Sequence, residues 1–431
     1  MMLSLYRFGS TILAPIYWLV LQQRRNRGKE DASRFAERIG YAERPRPPGR
    51  LVWVHGASVG ESLSALPLIE RLLDGDDSLH VVVTTGTVTS AQMLQDRLPP
   101  RAFHQFVPID RAPWVRRFLR HWRPDAALWL ESELWPNLLI ETARANVPMV
   151  LINGRMSDRS FARWRRWPHL IGSMLRAFDL CLVQSAEDGK RFAALGARRV
   201  ECPGNLKFTS KPLAADPDAL DEMQSAVIGR PVWMAASTHA GEEKIVGNAV
   251  KLLKSAGPQP LCIVVPRHAD RGDSIEGELK PLGLNVLRRS RGELPRADTD
   301  LYLADTMGEL GIFYRLSSVV LVGGSLVPHG GQNPLEAAQL DCAILHGPHM
   351  GNFREITQLL DEAHATIVVR DAADLAAAVQ DLFRHRQLRD QRAELAHQVV
   401  LGQQDVLERV MAALTPYVVP ARQGTGTDAR A

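Results

Sequence analysis

The feature that most constrains this chain is a repeated unit: a short apolar run, a turn of small residues, then a helical pattern. Runs at 51–54, 80–84, 126–130, 148–152 and 180–183 open such units in the first half. Runs at 232–236, 261–265, 301–304, 319–322, 343–345 and 366–369 do so in the second. A run apolar at every position is expected to be a strand buried on both faces, and strands alternating with helices build a parallel sheet covered on both sides. Helical patterns such as 61–73, 87–97, 114–121, 186–195, 242–254, 309–316, 336–340 and 371–382 lie between the runs. Residues 211–218, with Pro212 and Pro217 among small and polar residues, break the rhythm and read as a domain crossing. The expectation is an α/β protein of two doubly wound, Rossmann-like domains, 30–210 and 211–422, facing across a cleft. Ligands bind such sheets beyond the carboxyl ends of the strands, so the residues just past each run are the candidates for function.

The ends of the chain differ in kind from this interior. Residues 1–22 are apolar, with Tyr6, Tyr17 and Trp18 as interface aromatics, interrupted by Arg7 and Pro15. Arg24, Arg25, Arg27 and Lys29 follow, so 1–29 reads as a membrane anchor with a basic flank. The flank lies on the C-terminal side, which puts the rest of the chain on the cytoplasmic face. No small-residue cleavage site follows the apolar stretch. Residues 423–431 are Gly/Thr-rich and expected to be disordered. A net charge of +4 over 431 residues gives no support to nucleic-acid binding. Cys181, Cys202, Cys262 and Cys342 form no CxxC pair and read as free thiols in a reducing compartment.

Past the run 51–54 comes His55-Gly-Ala-Ser-Val-Gly-Glu61, a tight turn that delivers Glu61 to a helix start, where a carboxylate is readily held ionised. Glu131 and Glu133 follow 126–130 and would share a face if the strand continued, with Pro136 opening a helix. Asn153-Gly154-Arg155 follows the next run. Asn153 or Gly154 suits a left-handed backbone, and Arg155 suits an anion. Lys207 stands just before the domain crossing, where it could neutralise a phosphate or carboxylate. In the second half, Ser237 or Thr238 could cap a helix with Glu242 as capping-box partner, and the same helix start could bind a phosphate. Arg267 and His268, the segment 305–309, Gly323-Gly-Ser325, and Gly330 through Glu336 repeat the geometry. Asp298-Thr-Asp300 has the look of a metal-binding DxD, but it precedes a strand and reads as an entry loop. No metal site is expected.

Taken together, HGASVGE, ESELWPN, NGRMS, GNLKF, AASTHAGEE, VPRH, DTMGEL and GGQNPLEAA, in this order, resemble the Kdo transferase family of lipopolysaccharide synthesis. The resemblance runs from the N-terminal apolar segment to about Val369. One departure is Thr209, where the family commonly has Asp. The resemblance implies a GT-B fold and transfer of 3-deoxy-D-manno-octulosonic acid (Kdo) from CMP-Kdo to lipid IVA, with inversion, at the cytoplasmic face of the inner membrane. It implies Glu61 as proton acceptor, and Glu131 and Lys207 as transition-state stabilisers. It assigns Arg267, His268, Met307, Gly308, Glu309, Asn333, Pro334, Leu335 and Glu336 to CMP, and it implies no cofactor beyond the donor substrate. Another GT-B enzyme, a sugar-nucleotide epimerase or a catalytically dead nucleotide-binding scaffold at the membrane would share the alternation. Such an epimerase would have no need of residues 1–29, and the scaffold none of Glu61.

Overall fold

The computed structural model describes residues 2–57, 59–255 and 260–418. The tail expectation for 423–431 lies outside them. The chain forms two compact units: residues through Ser210 together with the segment from Gln404, and Lys211–Gln403.

The first unit holds β1 (Arg50–His55), β2 (Leu79–Thr85), β3 (Ala102–Phe106), β4 (Ala126–Leu130), β5 (Met149–Gly154), β6 (Leu180–Val183) and β7 (Val200–Glu201). They pair in parallel in the order β3-β2-β1-β4-β5-β6-β7. The second unit holds β8 (Val232–Thr238), β9 (Leu261–Pro266), β10 (Val286–Arg288), β11 (Leu301–Leu303), β12 (Val319–Val322), β13 (Ala343–His346) and β14 (Thr366–Val368). These are parallel in the order β10-β11-β9-β8-β12-β13-β14.

All eleven apolar runs are strands. The three strands that hydropathy did not announce, β3, β7 and β10, are all sheet edges. An edge strand is under less pressure to be apolar throughout. β3 carries His104 and Gln105, β7 has only two residues, and β10 ends in Arg288.

Side chains alternate between the two faces of each strand. In the first unit Val52 and Val54 join one core and Leu51 and Trp53 the other. The core containing Trp53 packs under helices Ala112–Trp122, Pro136–Arg144 and Pro168–Leu175. The core containing Val52 is closed by Leu66–Asp74 and by Val406–Val418. That last helix corrects the expected domain boundary: the second unit ends before it, and residues 404–418 belong with the first. Val406, Val410, Leu414 and Val418 recur every four residues, forming one stripe that is buried against the first sheet's core.

The N-terminal segment is two helices, Met2–Ile12 and Ala14–Asn26, with Pro15 in the first turn of the second. Proline there has no N–H to give, so the ladder restarts. Arg7 does not face solvent. It pairs with Glu141, while Tyr6 donates to Asp110 at 2.8 Å and Asn137 donates to Ser10 at 3.3 Å. Among the described residues no helix is long and apolar enough to cross a membrane. The segment nonetheless exposes Phe8, Ile12, Leu13, Ile16, Trp18, Leu19 and Val20. Of its basic flank, Arg24 pairs with Glu30 at 2.6 Å and Arg25 stacks over Phe35.

Candidate active site

In the first sheet the strand order reverses between β1 and β4. Chains leave a sheet in opposite directions at such a point and open a crevice beyond the strand ends. β1 delivers the turn at Gly56 and the helix Val59–Ser64, with Glu61 in its first turn. Glu61 Oε2 accepts from the Ala57 N–H at 2.7 Å, which orients the carboxylate back over the turn. A side chain at position 56 would meet Leu130 of β4 at 3.0 Å, so glycine lets these two strand ends approach.

β4 delivers Glu131, whose φ of 54° places a non-glycine residue in the left-handed region. The chain therefore turns at Glu131 instead of extending, and the two carboxylates do not share a face as an extended strand would require. Glu133 instead accepts from the Trp135 indole at 2.8 Å. Glu131 Oε1 lies 2.9 Å from Lys207 Nζ, with both side chains only 18% exposed, which shields this ion pair from solvent. Lys207 sits on the 3-10 turn Leu206–Thr209, against which the helix Val59–Ser64 packs. The groups Glu61, Glu131 and Lys207, distant in sequence, are thereby gathered at one sheet edge.

A set of buried amides holds this arrangement. Asn153, also left-handed with φ 58°, accepts from the Leu206 N–H at 3.0 Å through its side chain. Its backbone carbonyl takes the Gln184 amide at 3.0 Å, and Gln184 Oε1 takes the Asn205 amide at 3.1 Å. Asn205 then caps the turn by accepting from the Lys207 N–H at 3.0 Å. The ends of β5 and β6 thus fix the backbone that aims Lys207 at Glu131. Gln184 gave no signal in the sequence beyond its place one residue past a strand. Thr209, the departure from the family pattern, donates back to the Leu206 carbonyl at 2.8 Å and serves the same turn. Beneath, His55 is fully buried, 4.7 Å from the Trp129 ring centre, and shares Thr84 Oγ1 with the Trp53 indole. Burial pushes its pKa down to about 4, so it is a neutral packing residue.

In the second sheet the order reverses between β8 and β12. Here Ser237 takes the left-handed conformation, with φ 57°. Glu242, fully buried, accepts from four backbone N–H groups: His239 and Gly324 through Oε2, Ser325 and Leu326 through Oε1. Glu242 does reach back to a preceding N–H, but to that of His239 and not to Ser237 or Thr238, the caps expected. The other three bonds, invisible in the sequence, use the same carboxylate to pin the loop after β12. That nest of N–H groups, a ready site for an anion, is filled from within. Glu243, equally buried, accepts from Thr238 at 3.0 Å and pairs with Arg271.

Gly330 and Gly331, both at positive φ, fold the next segment back so that the Gly331 and Gln332 N–H groups donate to Gly324 and Gly323. The Gln332 amide donates to His239 Nε2 at 2.9 Å, and the His329 ring stacks on His239 with centroids 3.5 Å apart. Burial, then the charges of His329, His268 and Arg267, push the His239 pKa down to about 4. Arg267 and His268 emerge exposed from the end of β9. Glu336, in the first turn of Leu335–Ala338, accepts from Tyr314 at 3.3 Å and Asn333 at 3.4 Å. Burial raises its pKa against those bonds and the nearby Arg267 charge. Pro334 and Leu335 are buried and seat this turn.

Met307, 72% exposed, and Gly308 stand at the end of β11 on the same edge. Glu309 is bound by Arg289 at 2.7 Å and by the Thr306 hydroxyl. Burial opposes its charge, but these two partners outweigh burial and hold its pKa low. Asp300 lies at the opposite, amino edge of β11. It pairs with Lys254 and accepts from the Asn285 N–H, while Asp298 accepts from the Asn285 amide. The DxD resemblance is a strand-entry structure.

A profile of the family described as 3-deoxy-D-manno-octulosonic-acid transferase (kdotransferase) matches residues 33–210. The chain is 34% identical to the 3-deoxy-D-manno-octulosonic acid transferase of Haemophilus influenzae over 89% of its own length and 91% of that protein. It is 32% identical to the transferase of the same name from Rickettsia bellii, over 96% and 100%. Among solved structures, a glycosyltransferase from Rickettsia africae superposes with a TM-score of 0.60 at 10% identity, covering 87% of this chain and 100% of that one, a likeness of fold. The chain belongs to the 3-deoxy-D-manno-octulosonic acid transferase family.

Proposed function

We propose that this transferase moves Kdo from CMP-Kdo to a sugar hydroxyl of lipid IVA, with inversion at the anomeric carbon. The observation that carries the reading is the Glu131–Lys207 pair, 2.9 Å apart, on the turn against which the Glu61 helix packs. Glu61 takes the proton of the attacking hydroxyl. The hydroxyl oxygen forms the new bond to the anomeric carbon as the bond to the CMP phosphate breaks. Glu131 and Lys207 offer fixed charges of both signs where charge separates, and preorganised charges of this kind stabilise a transition state without further reorganisation. A single displacement needs one base and no covalent nucleophile.

CMP is held in the second unit. Arg267 supplies positive charge for the phosphate, and His268 a ring N–H beside it. Glu336, steadied by Asn333, Pro334 and Leu335, suits the ribose hydroxyls, and Met307, Gly308 and Glu309 form the neighbouring wall. No cofactor or metal ion takes part. The N-terminal helices lie in the interface of the inner membrane's cytoplasmic face, a reading supported by the large apolar side chains that they expose close together in sequence, from Phe8 to Val20.

Incubation of the purified protein with CMP-Kdo and lipid IVA tests this. The expected result is release of CMP with a matching gain in acceptor mass. CMP release without acceptor gain, or no turnover, overturns the reading.

A further inference from the structure

Between the helices Ala112–Trp122 and Pro136–Arg144 runs a groove of about 770 Å³. Arg116, Arg117, Arg120, Arg123 and Arg144 line it, against the single carboxylate of Glu141. Four of the five arginines are exposed. Arg117 instead stacks on Tyr41 at 4.0 Å and donates to the Ile39 carbonyl. Glu141 is already committed, meeting Arg7, Arg116 and Arg144 together. The groove is therefore strongly electropositive, and nothing in the transfer reaction uses it. Its inner end, at Arg123, Pro124, Ala145 and Val147, leads into the amino ends of β4 and β5, the edge opposite Glu61, Glu131 and Lys207.

The groove is also continuous with the N-terminal helices. Arg7 docks the first of them on Glu141, a lining residue, and Asn137 of the same groove helix donates to Ser10. The first N-terminal helix, which carries the exposed Phe8 and Ile12, is thus docked on the helix that lines the groove. A cluster of exposed guanidinium groups on a helix pair that also carries a helix with exposed apolar side chains complements one surface, a bilayer with anionic headgroups. We propose that this arginine groove binds the phosphates of anionic phospholipids and seats the first unit on the membrane. The proposal rests on the interfacial reading of the N-terminal helices and adds a second, electrostatic contact with its own residues.

The test is co-sedimentation of the full chain with vesicles free of acceptor lipid. One set is phosphatidylcholine alone, the other phosphatidylcholine mixed with phosphatidylglycerol. Binding should be stronger to the mixed vesicles, and added salt should erase the difference. Arg116→Gln/Arg120→Gln/Arg144→Gln should cut the phosphatidylglycerol-dependent partition by about 100-fold, three charges at roughly 5-fold each. The matching triple lysine variant should retain it, and Arg120→Gln alone, at an exposed position, should lose about 5-fold even if the triple glutamine variant fails to fold. Phe8→Ser/Leu19→Ser should lose binding to both vesicle types, and its failure to do so would count against the helices but not the groove. Equal binding to the two vesicle types, or an undiminished preference in the glutamine variants, overturns the proposal.

Discussion

The two sheets share one plan, yet they furnish their strand-reversal points in opposite ways. In the first unit, side chains of opposite charge meet directly, Glu131 against Lys207, with amides of Asn153, Gln184 and Asn205 fixing the backbone beneath. In the second, the buried carboxylate of Glu242 spends itself on backbone N–H groups, and the exposed groups left over, Arg267 and His268, are basic. The first arrangement holds functional groups in place before anything binds, as chemistry at a reacting centre requires. The second shapes a loop and leaves Arg267 and His268 exposed past the strand end. Both depart from ordinary backbone geometry at the same structural place: Glu131 and Asn153 in one, Ser237 in the other, adopt positive φ where strands end. Such conformations cost about 1–3 kcal/mol each and persist where surrounding structure over-determines them.

If this division between chemistry and binding is right, substitutions in the two units should fall in different columns of a kinetic table. Glu61→Gln should lower transfer by about 10²–10⁴-fold, the usual worth of a positioned base, while CMP affinity by calorimetry stays unchanged. Near-normal turnover at saturating substrates would make Glu61 a helix-start residue and move the search to Glu131.

His55 probes the floor of the first site through stability. Its folded pKa of about 4 lies below the unfolded value of 6.5. The unfolded chain therefore takes up the proton first as pH falls. The contribution is fully present above about pH 6.5 and is lost progressively toward pH 4, on the order of 3 kcal/mol. In denaturant titrations across that window, His55→Gln should flatten the acid slope of wild-type stability. An unchanged slope would mean that His55 is not a buried neutral group.

Arg267→Ala should weaken CMP binding by about 1.5–3 kcal/mol, the loss of one charged hydrogen bond, and Glu336→Gln should weaken it less. Unaltered CMP affinity in both variants would move the nucleotide away from the second sheet's edge. The smallest effect expected is none: metal-stripped enzyme given intact CMP-Kdo should keep its activity in chelator. A loss that magnesium alone restores would break the comparison, because the charge stabilisation assigned to Glu131 and Lys207 would then belong to an ion.

Hydropathy located every strand of both sheets except β3, β7 and β10, three of the four edge strands, because a strand covered on both faces is apolar at nearly every position and an edge strand need not be. It also placed the candidate residues Glu61, Glu131, Arg267 and His268 just past strand ends, since all four follow runs. It failed for the helix Val406–Val418, whose stripe of valines and leucine announces a buried face without saying which core will bury it.

The alternation of runs and helices, and the chemistry placed after each run, were determined by sequence alone, because local periodicity and turn residues act over a few positions. Three things were decided only by the tertiary structure: that Lys207 meets Glu131 across 76 positions, that Glu242 ties down a loop 82 to 84 residues away, and that the chain's last described helix returns to the first unit. Each depends on which strands become neighbours, and strand order is set by how whole layers pack, a free energy no single segment carries.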